Sequence, residues 1–180
     1  IQTARELLVN CRVVMASCEV PLEATLEAFR IARQGQAITL LNPAPARPLP
    51  DELLALVDVL TPNESELYQL AGQAHAASIN TAADQLLLRG AGSVLVTLGV
   101  AGCRLYQLGK PTLGVPGRLM PVRDTIGAGD TFTGALAAIL AQGETLAVAM
   151  QWANAAAALS VTRHGAVAGI PTHADVAALL

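Results

Sequence analysis

The sequence predicts an α/β fold, a doubly wound and mostly parallel sheet with helices on both faces. Three observations lead to this prediction. Short apolar runs of strand length alternate with longer segments of helical periodicity. Most of the connections between them are short and contain Pro, Gly or Asn. The 180 residues contain no internal repeat and no linker-like stretch, so we expect one domain over residues 1–180.

The first half of the chain carries a β-loop-α pattern. After a helical pattern over Gln2 to Asn10, strands are predicted at Val13 to Ala16, Ala37 to Leu41 and Val57 to Leu60. The predicted helices are Leu22 to Gln34, Pro50 to Leu56, Asn63 to Leu70 and Thr81 to Arg89. Such alternation indicates parallel strands that are covered on both faces.

The pattern changes in the second half. Strands are predicted at Val94 to Leu98 and Cys103 to Leu108, and the turn Gly99 to Gly102 between them predicts an antiparallel edge. The Pro- and Gly-rich stretch Pro111 to Pro121 is predicted to be a loop. Two Ala-rich helices, Gly129 to Gln142 and Leu146 to Thr162, are expected to close the domain.

The composition excludes several classes of protein. Hydrophobic residues make up 53% of the chain and charged residues 14%, which excludes intrinsic disorder. The net charge is −3 and Lys110 is the only lysine, so we expect no nucleic-acid partner. Every apolar run is too short to span a membrane, so no membrane partner is expected either. The three cysteines have no metal-binding or disulfide spacing, which indicates free thiols and a cytoplasmic location.

The segment Asp124-Thr-Ile-Gly-Ala-Gly-Asp-Thr-Phe132 carries the clearest chemical signal, because it directly precedes a predicted helix. Glycines at a helix start allow close approach of a ligand, and the free amides of the first turn attract phosphate. Asp130 could then act as a base beside a phosphate, or it could simply cap the helix. The loop is neither a Walker A loop nor a dinucleotide fingerprint, since Lys110 precedes a proline and Phe132 stands where a third glycine is needed.

The same segment resembles the C-terminal signature of the ribokinase-like (PfkB) carbohydrate kinases. Further blocks of the chain resemble that family in order and spacing: Asn42-Pro-Ala-Pro-Ala-Arg47, Leu49-Pro-Asp-Glu-Leu-Leu54, Thr61-Pro-Asn-Glu64, Thr97-Leu-Gly99 with Gly102, and Val161-Thr-Arg-His-Gly165. The resemblance covers essentially the whole chain. It implies a ribokinase-like α/β fold and an ATP-dependent sugar kinase, and the first of these blocks points to ribose, with ribose 5-phosphate as product.

The resemblance also implies roles for individual residues. Asp130 matches the catalytic base that contacts the substrate, and the anion hole matches Gly127, Ala128 and Gly129. The adenosine site matches Thr97, Leu98, Gly99, Val100, Ala101, Gly102 and Asn154. Asn63 and Glu66 match a motif that organises Mg²⁺ and the nucleotide phosphates, with ordinary helix capping as the alternative.

The remaining implied roles concern a monovalent cation and the sugar. A loop that binds K⁺ in the family matches Asp124, Ile126, Ser160, Arg163, Gly165 and Gly169, although Gly169 stands where ribokinases often carry Ser. Glu19 matches a carboxylate that holds a sugar hydroxyl, and an ordinary loop residue is the alternative. His75, His173 and Trp152 receive no role, since packing explains Trp152 and neither histidine has a partner at ligand spacing.

No stretch of the chain resembles the family's N-terminal sugar-binding part or its small β-sheet lid, and the chain opens on Ile1. We therefore expect a C-terminal portion of a longer kinase that is nearly inactive by itself, whose parent could form a homodimer. Three alternatives stay open: a non-catalytic nucleotide-binding module, a kinase of fructose, 2-keto-3-deoxygluconate or a nucleoside, and a kinase of a hydroxymethyl-pyrimidine or pyridoxal type substrate.

Overall fold

The computed structural model describes residues 1–72 and 78–180, so His75 lies outside the described residues. Its strands are β1 (Val13–Ser17), β2 (Ile38–Asn42), β3 (Val59–Leu60), β4 (Val94–Thr97), β5 (Gly102–Tyr106) and β6 (Leu113–Pro116). The helices are α1 (Arg5–Asn10), α2 (Leu22–Gln34), α3 (Asp51–Leu54), α4 (Glu64–Leu70), α5 (Ile79–Leu88), α6 (Ala128–Ala141), α7 (Leu146–Ser160) and α8 (His173–Leu179). Short 3₁₀ helices span Gln2–Ala4 and Gly99–Ala101.

The strands form one mixed, six-stranded sheet in the order β1-β2-β3-β4-β5-β6. The first four are parallel neighbours, with Val13 opposite Ile38, Leu40 opposite Val59 and Leu60 opposite Val94. Helices lie on both sides of the sheet, so the predicted fold class is confirmed. Parallel strands covered on both faces are apolar throughout, which is why Leu40, Leu41, Leu60 and Leu95 are fully buried.

The chain divides into two compact units. Unit 1 comprises Ile1–Val96 and Arg104–Leu113, and unit 2 comprises Thr97–Cys103 and Gly114–Leu180. In unit 1, α2 buries Phe29 and Ile31, and the carboxylate of Asp58 accepts hydrogen bonds from the backbone N–H and the hydroxyl of Thr39. The expectation of one domain over residues 1–180 stays a prediction.

Unit 2 is built around the packing of α6 against α7 and of α7 against α8. The buried residues of α7 include several alanines beside the larger Met150, and Ala155 and Ala156 pack against Val176 of α8. Small side chains let helix backbones approach closely, so the Ala-rich composition that the sequence shows reflects packing.

Two glycines of unit 2 permit a close backbone approach. Gly102 has a φ of 94°, and a Cβ there would lie 2.1 Å from the carbonyl oxygen of Val115. A Cβ on Gly117 would lie 2.0 Å from the carbonyl oxygen of Val100. Only glycine fits at both positions, so the turn after β4 lies directly against the end of β6.

Several elements differ from the sequence-based predictions. The stretch predicted as a loop contains β6, and α8 was not predicted. The predicted strand Val57 to Leu60 is shortened to β3, because the backbone N–H of Val57 still bonds to Leu54 in the turn after α3. The turn Gly99 to Gly102 contains a 3₁₀ helix.

The described part of the chain contains three cysteines, and all three are free. Cys18 and Cys103 are buried, and burial raises the pKa of Cys103 to about 12. Among the described helices, none combines the length and the apolar character that crossing a membrane requires.

Candidate active site

The loop before α6 is held in shape by Asp124. One of its carboxylate oxygens accepts a hydrogen bond of 3.0 Å from the N–H of Ile126, and the other accepts one of 2.9 Å from the N–H of Gly165. These bonds, that from Gly165 first, lower the pKa of Asp124 below its ordinary value. The loop is thus tied by an ionised carboxylate to the segment that follows α7.

Gly127 is the residue at which this loop turns into α6. Its φ of 77° lies in the left-handed region, and a Cβ would lie 2.9 Å from the Cβ of Ala166. Glycine is therefore required at this helix start. The next residues, Ala128 and Gly129, begin a helix of 14 residues. The N–H of Ala128 donates to the Thr125 carbonyl at 3.3 Å, whereas the N–H of Gly129 has no partner within the helix. This amide and the positive end of the helix dipole suit an anion.

A cavity of about 270 Å³, the first cavity, opens beside this helix start. The residues predicted for nucleotide or phosphate binding that line it are Thr97, Gly99, Val100, Gly102, Ala128, Gly129 and Asn154. Leu98 and Ala101 do not line it and instead shape the turn, since Leu98 N–H donates to Gly102 and Ala101 N–H donates to Leu98. The structure thus brings five of the seven predicted adenosine residues to one cavity within unit 2, together with Ala128 and Gly129 of the predicted anion site.

Asn154 connects α7 to the end of β6. Its side chain is buried, and its Nδ2 donates a hydrogen bond of 2.9 Å to the carbonyl oxygen of Pro116. Asn154 thus forms a buried hydrogen bond between two elements and also lines the first cavity. The pairing joins residues 38 positions apart, which no local pattern could predict.

Asp130 lies in the first turn of α6 and is exposed. It lines a second cavity of about 420 Å³, together with Gly127 and Thr131. Ala128, Gly129 and Phe132 line the first cavity. The first turn of α6 therefore lines both cavities. Ala128 and Gly129 line the first cavity and Asp130 lines the second, so these residues lie within a single helical turn.

The predicted cation loop is also assembled within unit 2. Arg163 N–H donates to the Ser160 carbonyl and Gly169 N–H donates to the Gly165 carbonyl. A Cβ on Gly169 would lie 2.8 Å from the Gly165 oxygen and 3.1 Å from the Ser160 oxygen. Two carbonyl oxygens thus converge on Gly169, and a side chain there would displace them.

In unit 1, Asn63 and Glu66 form a reciprocal capping box at the start of α4. The Asn63 side chain accepts from Glu66 N–H, and the Glu66 carboxylate accepts from Asn63 N–H, both at 2.8 Å. The capping alternative is therefore present in the structure. It does not exclude the metal-organising role, because a carboxylate oxygen can accept more than one bond.

Glu19 lies just beyond the carboxyl end of β1 and is exposed. The backbone N–H of its neighbour Cys18 donates to the carbonyl of Asn42, the last residue of β2, and to the carbonyl of Ala44, which follows that strand. Because ligands of open parallel sheets bind beyond the carboxyl ends of the strands, this position suits a substrate contact. No cluster of three or more His, Cys, Asp or Glu side chains at metal-binding distance is found within residues 1–72 and 78–180.

Some cavity residues were not predicted from the sequence. Arg118, Leu119 and Met120, which follow β6, line the first cavity. Trp152 and His173 line the second, with their ring centroids 4.5 Å apart. The prediction of a packing role for Trp152 agrees with its contact with the cluster of Ala155, Ala156 and Val176.

Comparison with known proteins shows which family this chain matches. The model of the pfkB family of carbohydrate kinases matches residues 3–173. Ribokinase of Staphylococcus aureus is 38% identical over 176 residues, covering 96% of this chain and 58% of that protein. Ribokinase of Haemophilus influenzae is 37% identical, covering 90% and 53%. The chain thus spans little more than half the length of these relatives.

Solved structures show the same likeness. Arabidopsis thaliana ribokinase complexed with ribose and ATP superposes with a TM-score of 0.94 at 30% identity, covering 99% of this chain and 59% of that one. Thermotoga maritima ribokinase superposes with a TM-score of 0.88 at 33% identity, covering 97% and 58%. The fold is therefore that of the ribokinase-like proteins.

Proposed function

This chain belongs to the pfkB family of carbohydrate kinases, and on that basis we propose that the full-length protein transfers the γ-phosphate of ATP to a hydroxyl of ribose. Two findings support ribose as the acceptor. The curated relatives compared above are named ribokinase, and the superposed Arabidopsis thaliana structure is described as a complex with ribose and ATP.

The observation that carries the proposal is the first turn of α6, which lines both cavities. ATP would occupy the first cavity, with adenosine beside the Gly99 turn and Asn154 and with its phosphates at the α6 amides. The acceptor hydroxyl would approach from the side of the second cavity, where Asp130 lies. Phosphoryl transfer needs the attacking and leaving oxygens on opposite sides of the phosphorus, and a γ-phosphate at the first turn of α6 would lie between the nucleotide and an acceptor hydroxyl beside Asp130.

Asp130 would act as the base. Its carboxylate accepts the proton of the acceptor hydroxyl as the oxygen attacks the γ-phosphorus, and ADP leaves with the electrons of the broken bond. The backbone at Gly127, Ala128 and Gly129 would stabilise the charge on the transferred group, because preorganised amides are effective where water is excluded.

Mg²⁺ would be organised by Asn63 and Glu66. A carboxylate and an amide oxygen are hard ligands of the kind that Mg²⁺ accepts, often through water. The capping box fixes both side chains relative to the backbone of α4, which suits an indirect role. When bound, the ion neutralises charge on the nucleotide phosphates.

The loop around Asp124 would bind K⁺. Its candidate ligands are oxygen atoms of Asp124, Ile126, Ser160, Arg163, Gly165 and Gly169, and two of these carbonyls already converge on Gly169. Glycine at that position supplies only its carbonyl, so the site would have one side-chain ligand fewer than a site with serine. Glu19 would hold a hydroxyl of the sugar.

The test is ATP consumption by the full-length protein with ribose, fructose, 2-keto-3-deoxygluconate and a nucleoside, each with and without K⁺. We expect the highest turnover with ribose and a further increase with K⁺. Turnover that is higher with another acceptor would contradict ribose. Absence of turnover with every acceptor while ATP still binds would favour a non-catalytic module.

A further inference from the structure

We propose that Arg118 is a nucleotide-binding residue that contacts the phosphates of ATP. This inference rests on the proposed nucleotide site and adds to it a cation that the family signature does not contain. Arg118 follows β6 by two residues and is the only charged residue among the described residues that line the first cavity.

The backbone before Arg118 is fixed by two contacts. The carbonyl of Pro116 accepts the hydrogen bond from Asn154, and Gly117 packs so closely on the Val100 carbonyl that no side chain fits there. Both contacts lie at the proposed adenosine end of the cavity, so the side chain of Arg118 starts there and would extend along the cavity wall toward the start of α6. Preorganisation of this kind lowers the entropy that a residue loses when it binds a ligand.

The guanidinium of Arg118 is available for a ligand. The residue is exposed, and no hydrogen bond or ion pair of its side chain is found within residues 1–72 and 78–180. Its neighbours Leu119 and Met120 are apolar, and the part of the chain that the structure describes contributes no acidic residue to the lining of the first cavity. A cation in such surroundings favours an anionic ligand, and guanidinium can bind two phosphate oxygens at once.

Phosphate is favoured over the base because a second anion-attracting feature lines the same cavity. The N–H of Gly129 in the first turn of α6 has no acceptor within the helix, whereas the N–H of Ala128 donates to the carbonyl of Thr125 at 3.3 Å. A polyphosphate would satisfy both the Gly129 amide and Arg118. Stacking of the guanidinium on adenine is the alternative, and it would contribute equally to adenosine and to ATP.

The experiment compares binding of ATP, ADP and adenosine to the full-length protein by calorimetry. The variants are Arg118→Gln, Arg118→Lys and the control Arg123→Gln, an exposed arginine of the same segment that does not line the cavity. For Arg118→Gln we expect about tenfold weaker binding of ATP and ADP, as for loss of a charge-assisted hydrogen bond. Adenosine should bind unchanged, Arg118→Lys should recover part of the loss, and Arg123→Gln should match the unmodified protein.

Two results would overturn the inference alone. One is unchanged ATP binding by Arg118→Gln, and the other is an equal loss for ATP and adenosine, which would assign the side chain to the base. If the unmodified protein binds no ATP, the proposed function fails first and the inference fails with it. The measurement on the unmodified protein therefore separates the two failures.

Discussion

The carboxylate of Asp124 accepts a hydrogen bond from the N–H of Gly165, although 41 positions separate the two residues. This bond joins the loop before α6 to the segment after α7, where Gly165 has a φ of 86°. The candidate anion-binding helix start and the candidate cation loop are therefore held by one ionised side chain.

The first prediction concerns the pH dependence of this bond. The pKa of Asp124 is lowered, first by the Gly165 N–H and then by the Ile126 N–H. A carboxyl whose pKa is lower in the folded state stabilises the fold above its ordinary pKa of 3.8, and that stabilisation is lost as the pH falls through the lowered pKa. Asp124→Asn should therefore reduce the Tm at pH 6 to 7, and the difference from the unmodified protein should shrink below pH 4.

Thermal denaturation of both proteins between pH 2.5 and 7 in potassium-free buffer measures this. Asp84→Asn, at an exposed position of α5, is the matched control and should show no such trend. A Tm difference that is independent of pH would contradict the account of Asp124.

The second prediction compares Gly127 and Gly129, the two glycines at the start of α6. Gly127→Ala should destabilise unit 2 by about 1–3 kcal/mol, because alanine is strained at φ 77° and its Cβ meets Ala166. Gly129→Ala should leave stability unchanged or slightly higher, since Gly129 is helical and a Cβ there would meet nothing within 4 Å. The added methyl group should nevertheless weaken ATP binding, because Gly129 lines the first cavity.

Chemical denaturation and ATP titration of both variants separate these effects. Equal destabilisation by the two substitutions would show that the left-handed conformation of Gly127 does not matter.

Elements with local signals were predictable, whereas those that depend on distant contacts were not. The strands β1, β2 and β4 have continuous apolar runs, and α6 follows a glycine-rich start, so pattern alone placed them within a residue or two. β6 was missed because Pro111, Gly114, Pro116 and Gly117 are typical of loops. Its position depends on the close approach at Gly117 and on the bond from Asn154, and neither has a local signature.

For the candidate site, motif resemblance predicted the residues, and the structure shows their surroundings. The helix α8 had an unused signal, since Thr172 and Asp175 form a capping box with the spacing of a helix start. Arg118 had none, because nothing near it in sequence indicates that it faces a cavity lined also by α6.

The third prediction concerns Asn154. Asn154→Leu should destabilise the protein by about 1 kcal/mol, because the Pro116 carbonyl loses its donor. It should also weaken ATP binding, since Asn154 lines the first cavity. Denaturation and calorimetry test both effects, with Asn80→Leu at an exposed position of α5 as the control. Unchanged stability together with unchanged ATP affinity would contradict both roles that are given to Asn154.

The fourth prediction concerns the thiols. At pH 8, iodoacetamide should label Cys11, which is partly exposed, and leave the buried Cys103 unlabelled. The thiolate is the reacting species, and a pKa of about 12 leaves almost none of it at Cys103. Mass spectrometry of peptides shows which cysteines are labelled, and Cys11→Ser should abolish the label that is expected at Cys11. Labelling of Cys103 at the rate of Cys11 would contradict the burial described for it.

The central claim is that Asp130 is the catalytic base of an ATP-dependent sugar kinase. The most direct measurement is turnover of ribose and binding of ATP by full-length Asp130→Asn, beside the control Asp84→Asn. We predict a loss of kcat of roughly 10²- to 10⁴-fold with ATP affinity within about twofold of the unmodified protein, as for removal of a general base. Turnover by Asp130→Asn equal to that of the control would contradict the claim.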